Sequence, residues 1–307
     1  MLIPLGILAG SGGKIVGVAG YAAGGNTGSL VATVDKFAFP GDTRTTLGTG
    51  LSSAREGSAG FSNQAIAGYV AGGDAGPRTT GVDKFAFPAD TRSTLGTGLS
   101  SARDNIAGFS DPGVAGYAAG GNLGGGTLTA NVDKFAFPGD SRTTLGTGLS
   151  IAINAAAGFS NPTVAGYVAG GAVGATNYST VDKFAFPSDS KSTLATGLSA
   201  ARQQPIGFFD ATVAGYSAGG FTGSSVSTVD KFAFPGDTRS TLATGLSANR
   251  YGGAGFSNSG IGGYAAGGFT TVNVATVDKF DFPSDTRSTL GTGLSSARVR
   301  PAGFQDA

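Results

Sequence analysis

Six Asp-Lys pairs are the first residues in this chain whose types and spacing could do chemistry: Asp35 and Lys36, Asp83 and Lys84, Asp133 and Lys134, Asp182 and Lys183, Asp230 and Lys231, Asp278 and Lys279. A carboxylate beside an ammonium is the minimal equipment for proton transfer. A second set of acids, Asp42, Asp90, Asp140, Asp189, Asp237 and Asp285, stands two residues before an Arg, or before Lys191 in one case. Other chemistry is closed off by composition. The chain has no His and no Cys, which removes thiol nucleophiles, imidazole bases and Cys/His zinc sites. Glu56 is its one glutamate, so a catalytic carboxylate pair would have to rest on Asp almost alone. No catalytic residue, no cofactor and no metal site is expected.

The repetition itself argues against six active sites. VDKF recurs every 48 to 50 residues, in step with three other modules. GYxAGG is anchored by Tyr21, Tyr69, Tyr117, Tyr167, Tyr216 and Tyr264. A Thr-rich segment of the form RTTLGTGL follows each turn aspartate, and a segment ending in Gly-Phe closes the unit at Phe61, Phe109, Phe159, Phe208, Phe256 and Phe304. Each module is short, is bounded by Gly, Pro or Asp, and lacks a sustained 3.6-residue apolar period, so each reads as a strand. The 56 glycines of the 307 residues fall at fixed places in the unit, which points to turns instead of disorder. Four strands per unit, six times, predict an all-β fold, a six-bladed β-propeller. A feature present in every blade serves the blade, so the twelve Asp and Lys residues are expected to be structural, between blades. Alternation places Asp35, Phe37 and Phe39 on one strand face and Val34, Lys36 and Ala38 on the other. The turn aspartates are expected to bond backbone amides of their own turns.

One unit reads ARDNIAGFSDPGVAGYAAGG, a variable loop, then VDKFAFPGDSRTTLGTGLS. It resembles a kelch repeat in its early Arg, its small-residue strand, its aromatic before Gly-Gly and its polar turn before a fourth strand. It departs from that pattern where kelch repeats carry Trp in the fourth strand, since Leu47, Leu95, Leu145, Leu194, Leu242 and Leu290 stand there. The resemblance spans residues 17–307 and implies that VDKF is the third strand from the axis. It also implies that the C-terminal AGF strand closes the ring against the N-terminal blade. Residues 1–16 are then surplus, and are expected to be an N-terminal arm used in assembly or as an edge strand. A propeller hosts many activities, so the resemblance speaks to architecture and not to function.

Function should sit where the blades differ. Two loops vary, one after Gly-Gly and one before AGF, and both are expected on the same side of the disc. They hold the non-repeat aromatics Tyr178, Phe221, Tyr251 and Phe269, with Asp74, Arg78, Asp104 and Arg300. These eight are the expected ligand-binding residues, for a cell-surface glycan or protein receptor. The net charge is +1 and 13% of residues are charged, which offers no footprint for nucleic acid. The apolar N-terminal run is far too short to span a membrane. The segment IPLGILAGSGG resembles short leaders of structural proteins of marine tailed phages. The expectation is a non-enzymatic virion component, a tail, fibre or decoration protein for attachment or assembly, contacting other subunits through residues 1–16. The alternatives are a lectin-like or protein-interaction propeller of cellular origin, extracellular or cytoplasmic, and a glycan-acting hydrolase or lyase.

Overall fold

The computed structural model describes residues 18–306, so the expected N-terminal arm lies outside the described residues. Six four-stranded antiparallel sheets stand around an axis as the blades of a β-propeller. Numbered from the blade that holds Ala19–Ala23, the second blade runs outward as Ala59–Asn63, Ala67–Ala71, Val82–Ala86 and Thr91–Thr94. The other blades repeat this order. The first is completed from both ends of the chain, because Ala302–Gln305 pairs with Ala19–Ala23 in the register Tyr21 to Phe304. That pairing closes the ring and covers the inner edge of Ala19–Ala23.

Burial along the strands follows from how space narrows toward the axis. The second strands, such as Ala115–Ala119, are buried at every residue, so small side chains and one Tyr must share both faces. The innermost strands touch their counterparts around the ring at Gly60, Gly108, Gly158, Gly207, Gly255 and Gly303. A Cβ at any of these would overlap the backbone carbonyl of the preceding blade's glycine. The axis is therefore pinched at this ring, with small cavities of about 50 Å³ and 110 Å³ on either side. The next strand carries a second glycine for a different reason. The ring of Phe61 from the second blade occupies the place of a side chain at Gly116. Phe61 stacks on Tyr69 at 5.1 Å within its blade and on Phe135 of the next blade at 5.6 Å, while Tyr69 meets Phe137 at 5.3 Å. Such rings bury roughly 150–250 Å² each, which makes this stack the main apolar joint between blades.

The VDKF charges go in opposite directions and do not pair with each other. Asp133 is fully buried. It accepts from the Thr144 hydroxyl at 2.6 Å, from the Ser100 amide at 2.8 Å and from the Ser100 hydroxyl at 2.9 Å. Its ion pair with Arg103 is 3.0 Å long, and Arg103, also fully buried, donates to the Ala118 carbonyl. Ser100 and Arg103 belong to the chain that enters the blade, so the cluster fastens each blade to its connection. Lys134 instead reaches Asp189, in the turn of the next blade, at 2.6 Å, and Tyr117 donates to the other oxygen of the same carboxylate at 2.6 Å. Lys279 and Tyr264 use Asp42 in the same way across the closure. The turn aspartates thus do not spend their carboxylates on their own turn amides, contrary to expectation. A half-buried ammonium and a buried phenol need an acceptor, whereas turn amides can be reached by water.

The fourth blade breaks the pattern. Ile153 stands where the other connections have Arg, and Lys191 replaces the turn Arg. Asp182, 2% exposed, keeps its bonds from Thr193 and Ser150 but has no ion pair among the described residues. Asp133→Asn, which strands the Arg103 guanidinium in the interior, should therefore cost about 3–5 kcal/mol. Asp182→Asn should cost about 1 kcal/mol. Urea unfolding of the two variants decides this, and equal losses would refute the stabilising role given to the Arg103 ion pair.

Candidate functional site

The two variable loops leave the same face of the disc because they join the second strand to the third and the fourth to the first. Gly72 and Gly73, at φ of 66° and 106°, turn the chain off the second strand in a conformation that L side chains avoid. The next residue then pairs with the other loop of the same blade. Glu56 bridges Asp74, Asp104 bridges Asn122, Gln203 bridges Phe221 and Tyr251 bridges Phe269. Beyond these bridges lie Gly57, Asn105, Ala155, Gln204, Gly252 and Arg300, all at φ between 52° and 66°. Their backbones link around the axis: Ala155 N donates to Asn105 O, Gln204 N to Ala155 O, Gly252 N to Gln204 O, Arg300 N to Gly252 O, and Gly57 N to Arg300 O. The sixth link comes from Ile106 N to Gly57 O at 3.3 Å. The middle of this face is filled by a hydrogen-bonded backbone rosette, so its concavities lie off-axis, between blades.

The eight expected ligand-binding residues divide into three groups. Phe221, Tyr251 and Phe269 come together on the fifth and sixth blades. Phe221 meets Tyr251 edge-on at 5.6 Å, and Tyr251 meets Phe269 at 5.5 Å. Arg300 joins them, lining with Phe221, Tyr251, Gln203 and Gln204 a cavity of about 250 Å³. Its guanidinium also pairs with Glu56 at 3.2 Å. Asp74, Arg78 and Asp104 lie instead on the second and third blades. The Asp74 carboxylate accepts from the Gly76 amide of its own hairpin, as Asn26 and Asn122 do from Gly28 and Gly124. Arg78 and Asp104 neutralise each other, and Asp104 also takes a bond from Asn105. Tyr178 belongs to neither group. It packs against the buried cluster that contains Ile153, where an aliphatic side chain has replaced the buried Arg of the other blades.

Gln203 and Gln204 were visible in the sequence as part of the variable tripeptide before Pro205. A search for charged or aromatic residues passes over them, yet they supply the amide groups of the cavity. In this cavity aromatic surface, two amides and a cation converge, an arrangement suited to holding a ligand with one apolar face and a polar rim.

The Asp-Lys pairs lack the features of an acid–base site. Burial pushes Asp133 up, but bonds from Thr144 and Ser100 and the charge of Arg103 outweigh it and hold the carboxyl below its ordinary value. Burial likewise pulls the Arg103 guanidinium down, and Asp133 opposes this. The six repeat tyrosines are raised well above the ordinary phenol, first by burial and then by the hydrogen bond to a turn Asp. Among the described residues no group of three or more Asp, Glu, His or Cys could hold a metal ion. No described helix is long and apolar enough to cross a membrane.

No family model matches the chain, and no curated protein matches it either. Among solved structures it is similar to one described as "Structure of YjhT", with a TM-score of 0.67 over 81% of this chain and 87% of that chain. The two sequences are 14% identical, so the likeness concerns the propeller fold alone.

The tyrosine shifts give stability a sign. A phenol raised on folding stabilises fully below its ordinary value of 10.0 and loses that contribution as pH rises beyond it, because the unfolded chain ionises first. The unfolding midpoint should fall above about pH 10, and Tyr117→Phe should make that fall shallower while lowering stability at pH 7 by about 1–2 kcal/mol. Denaturant titrations at pH 7 and at pH 10–11 test this. An unchanged alkaline slope in the variant would contradict the role given to the hydroxyl.

Proposed function

We propose that the protein is a non-enzymatic binding propeller, a structural subunit of a phage virion that serves in attachment or assembly. Its loop face on the fifth and sixth blades engages a cell-surface saccharide or protein, and other subunits of the particle are its further partners. The observation that carries the binding role is the cavity of Gln203, Gln204, Phe221, Tyr251 and Arg300. Here side chains outside the repeat gather around empty space, while the repeated acids and bases are engaged in holding blades together. Aromatic edges can pack on the C–H face of a sugar ring, and amides and a guanidinium can bond its hydroxyls. The virion assignment draws on the resemblance of the leader to phage structural proteins. A cellular lectin-like propeller would use the same cavity.

A glycan array probed with the full chain tests the saccharide arm, and binding to intact host cells tests the protein arm. Tyr251→Ala should weaken the binding found by about 2 kcal/mol, roughly 30-fold, as expected for an aromatic anchor. Its unfolding midpoint should stay near that of the parent, because Tyr251 is half-buried and lies outside the Phe–Tyr stacks that join the blades. Binding that is absent in both assays, or unaffected by the variant, would overturn the reading.

A further inference from the structure

The residue two places beyond the Phe of each innermost strand alternates around the ring: Asn63, Asp111, Asn161, Asp210, Asn258 and Asp306. All six are 5% exposed or less. The side chain reaches across to the turn of the next blade. Asn63 Oδ1 accepts from the Gly113 amide at 3.0 Å, Asp111 from the Thr163 amide at 3.1 Å and Asp210 from the Gly260 amide at 2.6 Å. The Ser259 hydroxyl stands 3.4 Å from the same Asp210 oxygen. Asp306 takes the corresponding bond from the Ala65 amide. Asn63 and Asp111 thus make the same bond, so the bond does not explain the choice of an acid. What an Asp adds at this place is a charge that can be removed by a proton.

Each of these acids adds its charge to a joint that is already balanced. Lys134 and Asp189 pair at 2.6 Å between the third and fourth blades, with the Tyr117 hydroxyl on the same carboxylate. Lys134, Asp189 and Tyr117 are the groups that face Asp111. Lys36, Asp90 and Tyr21 face Asp306 between the first and second blades. Tyr216 faces Asp210 between the fifth and sixth, where it donates to Asp285, the partner of Lys231. Neither Asp111 nor Asp306 forms an ion pair among the described residues. Two carboxylates then stand beside one ammonium, and the second is costly to ionise in the interior. The joints in between have Asn at this place. At the closure Asp281 also approaches Lys279, at 3.6 Å, with its side chain 49% exposed. We propose that Asp111, Asp210 and Asp306 are a proton-operated device: in mild acid each takes up a proton, and alternate blade joints tighten. Burial pushes the Asp111 and Asp306 carboxyls above their ordinary value of 3.8, and the turn amides and the lysines only partly oppose it. A carboxyl raised on folding contributes stability that is fully present below its ordinary value and is lost as pH rises through its folded value. This inference is independent of the function proposed for the loop face.

A carbon-13 titration of the aspartate carboxyls in the unsubstituted full chain tests this directly. The Asp111 and Asp306 signals should move with midpoints above 3.8, and midpoints at or below that value would overturn the proposal. Stability gives a second test. Asp111→Asn with Asp210→Asn and Asp306→Asn should raise the urea midpoint by about 0.5 M at pH 7 and change it by less than about 0.1 M at pH 4. Asn63→Asp places the acid at a joint that lacks it. It should lower the midpoint at pH 7 and leave it within about 0.1 M at pH 4. Shifts that are equal at the two pH values in either variant would overturn the proposal. So would a fall at pH 7 in the triple Asn variant, because the aspartates would then stabilise the ring as ions.

Discussion

A carboxylate on the third strand of each blade is taken out of water, and the rest of the architecture is arranged to satisfy it. An isolated ion in that position would cost several kcal/mol, so each oxygen must be met by donors. Thr144 and Ser100 meet Asp133 from two segments, and Arg103 brings a compensating charge from the same connection as Ser100. Because these donors come from the fourth strand and from the connection into the blade, satisfying one ion fixes two joints at once. The Lys and Tyr on the other face then fasten the blade to its neighbour through the turn Asp. The periodic Ser, Arg, Thr, Asp, Lys and Tyr of the sequence are the parts of one electrostatic joint made six times, once without its buried Arg.

Packing near the axis imposes a second constraint that complements the first. Six strands can meet around so small a circumference only without side chains, which is why the glycines at Gly60 and its equivalents allow no Cβ. The aromatic rings then fill the widening space between blades, and the glycines of the second strands admit them. The disc is pinched at the ring of inner glycines, with small cavities on either side of it, and the middle of the loop face is closed by the backbone rosette. On the loop face, concave surface therefore appears off-axis, where loop side chains of adjacent blades leave room, as Phe221 and Tyr251 do.

The fourth blade shows how far the joint tolerates change. With Ile153 in place of the buried Arg, its aspartate keeps hydroxyl and amide donors, and Tyr178 packs against the cluster that holds Ile153. A residue that looks like a free aromatic in the loop is thereby engaged by the apolar packing of its own blade. Phe221, Tyr251 and Phe269, half-buried like Tyr178, pack on one another instead. The same kind of sequence difference yields packing in one blade and a cavity wall in another.

Much of this was legible from the chain alone. Repeat length, module order and strand periodicity specify six four-stranded blades and closure by the C-terminal strand, because those depend on local turn chemistry and on counting. The loops that hold the candidate cavity were also identifiable, since they are the segments that differ between repeats. Pairing was not legible. Asp35 and Lys36 are neighbours in sequence, yet Arg298 and Asp90 are their partners. A strand turns adjacent side chains to opposite faces, and the angle between blades decides what each face meets. For the same reason the sequence could not say that Tyr178 packs against the cluster of Ile153 or that Gln204 lines a cavity. Those outcomes depend on which surfaces six rotated copies bring together, and only the closed ring sets that rotation.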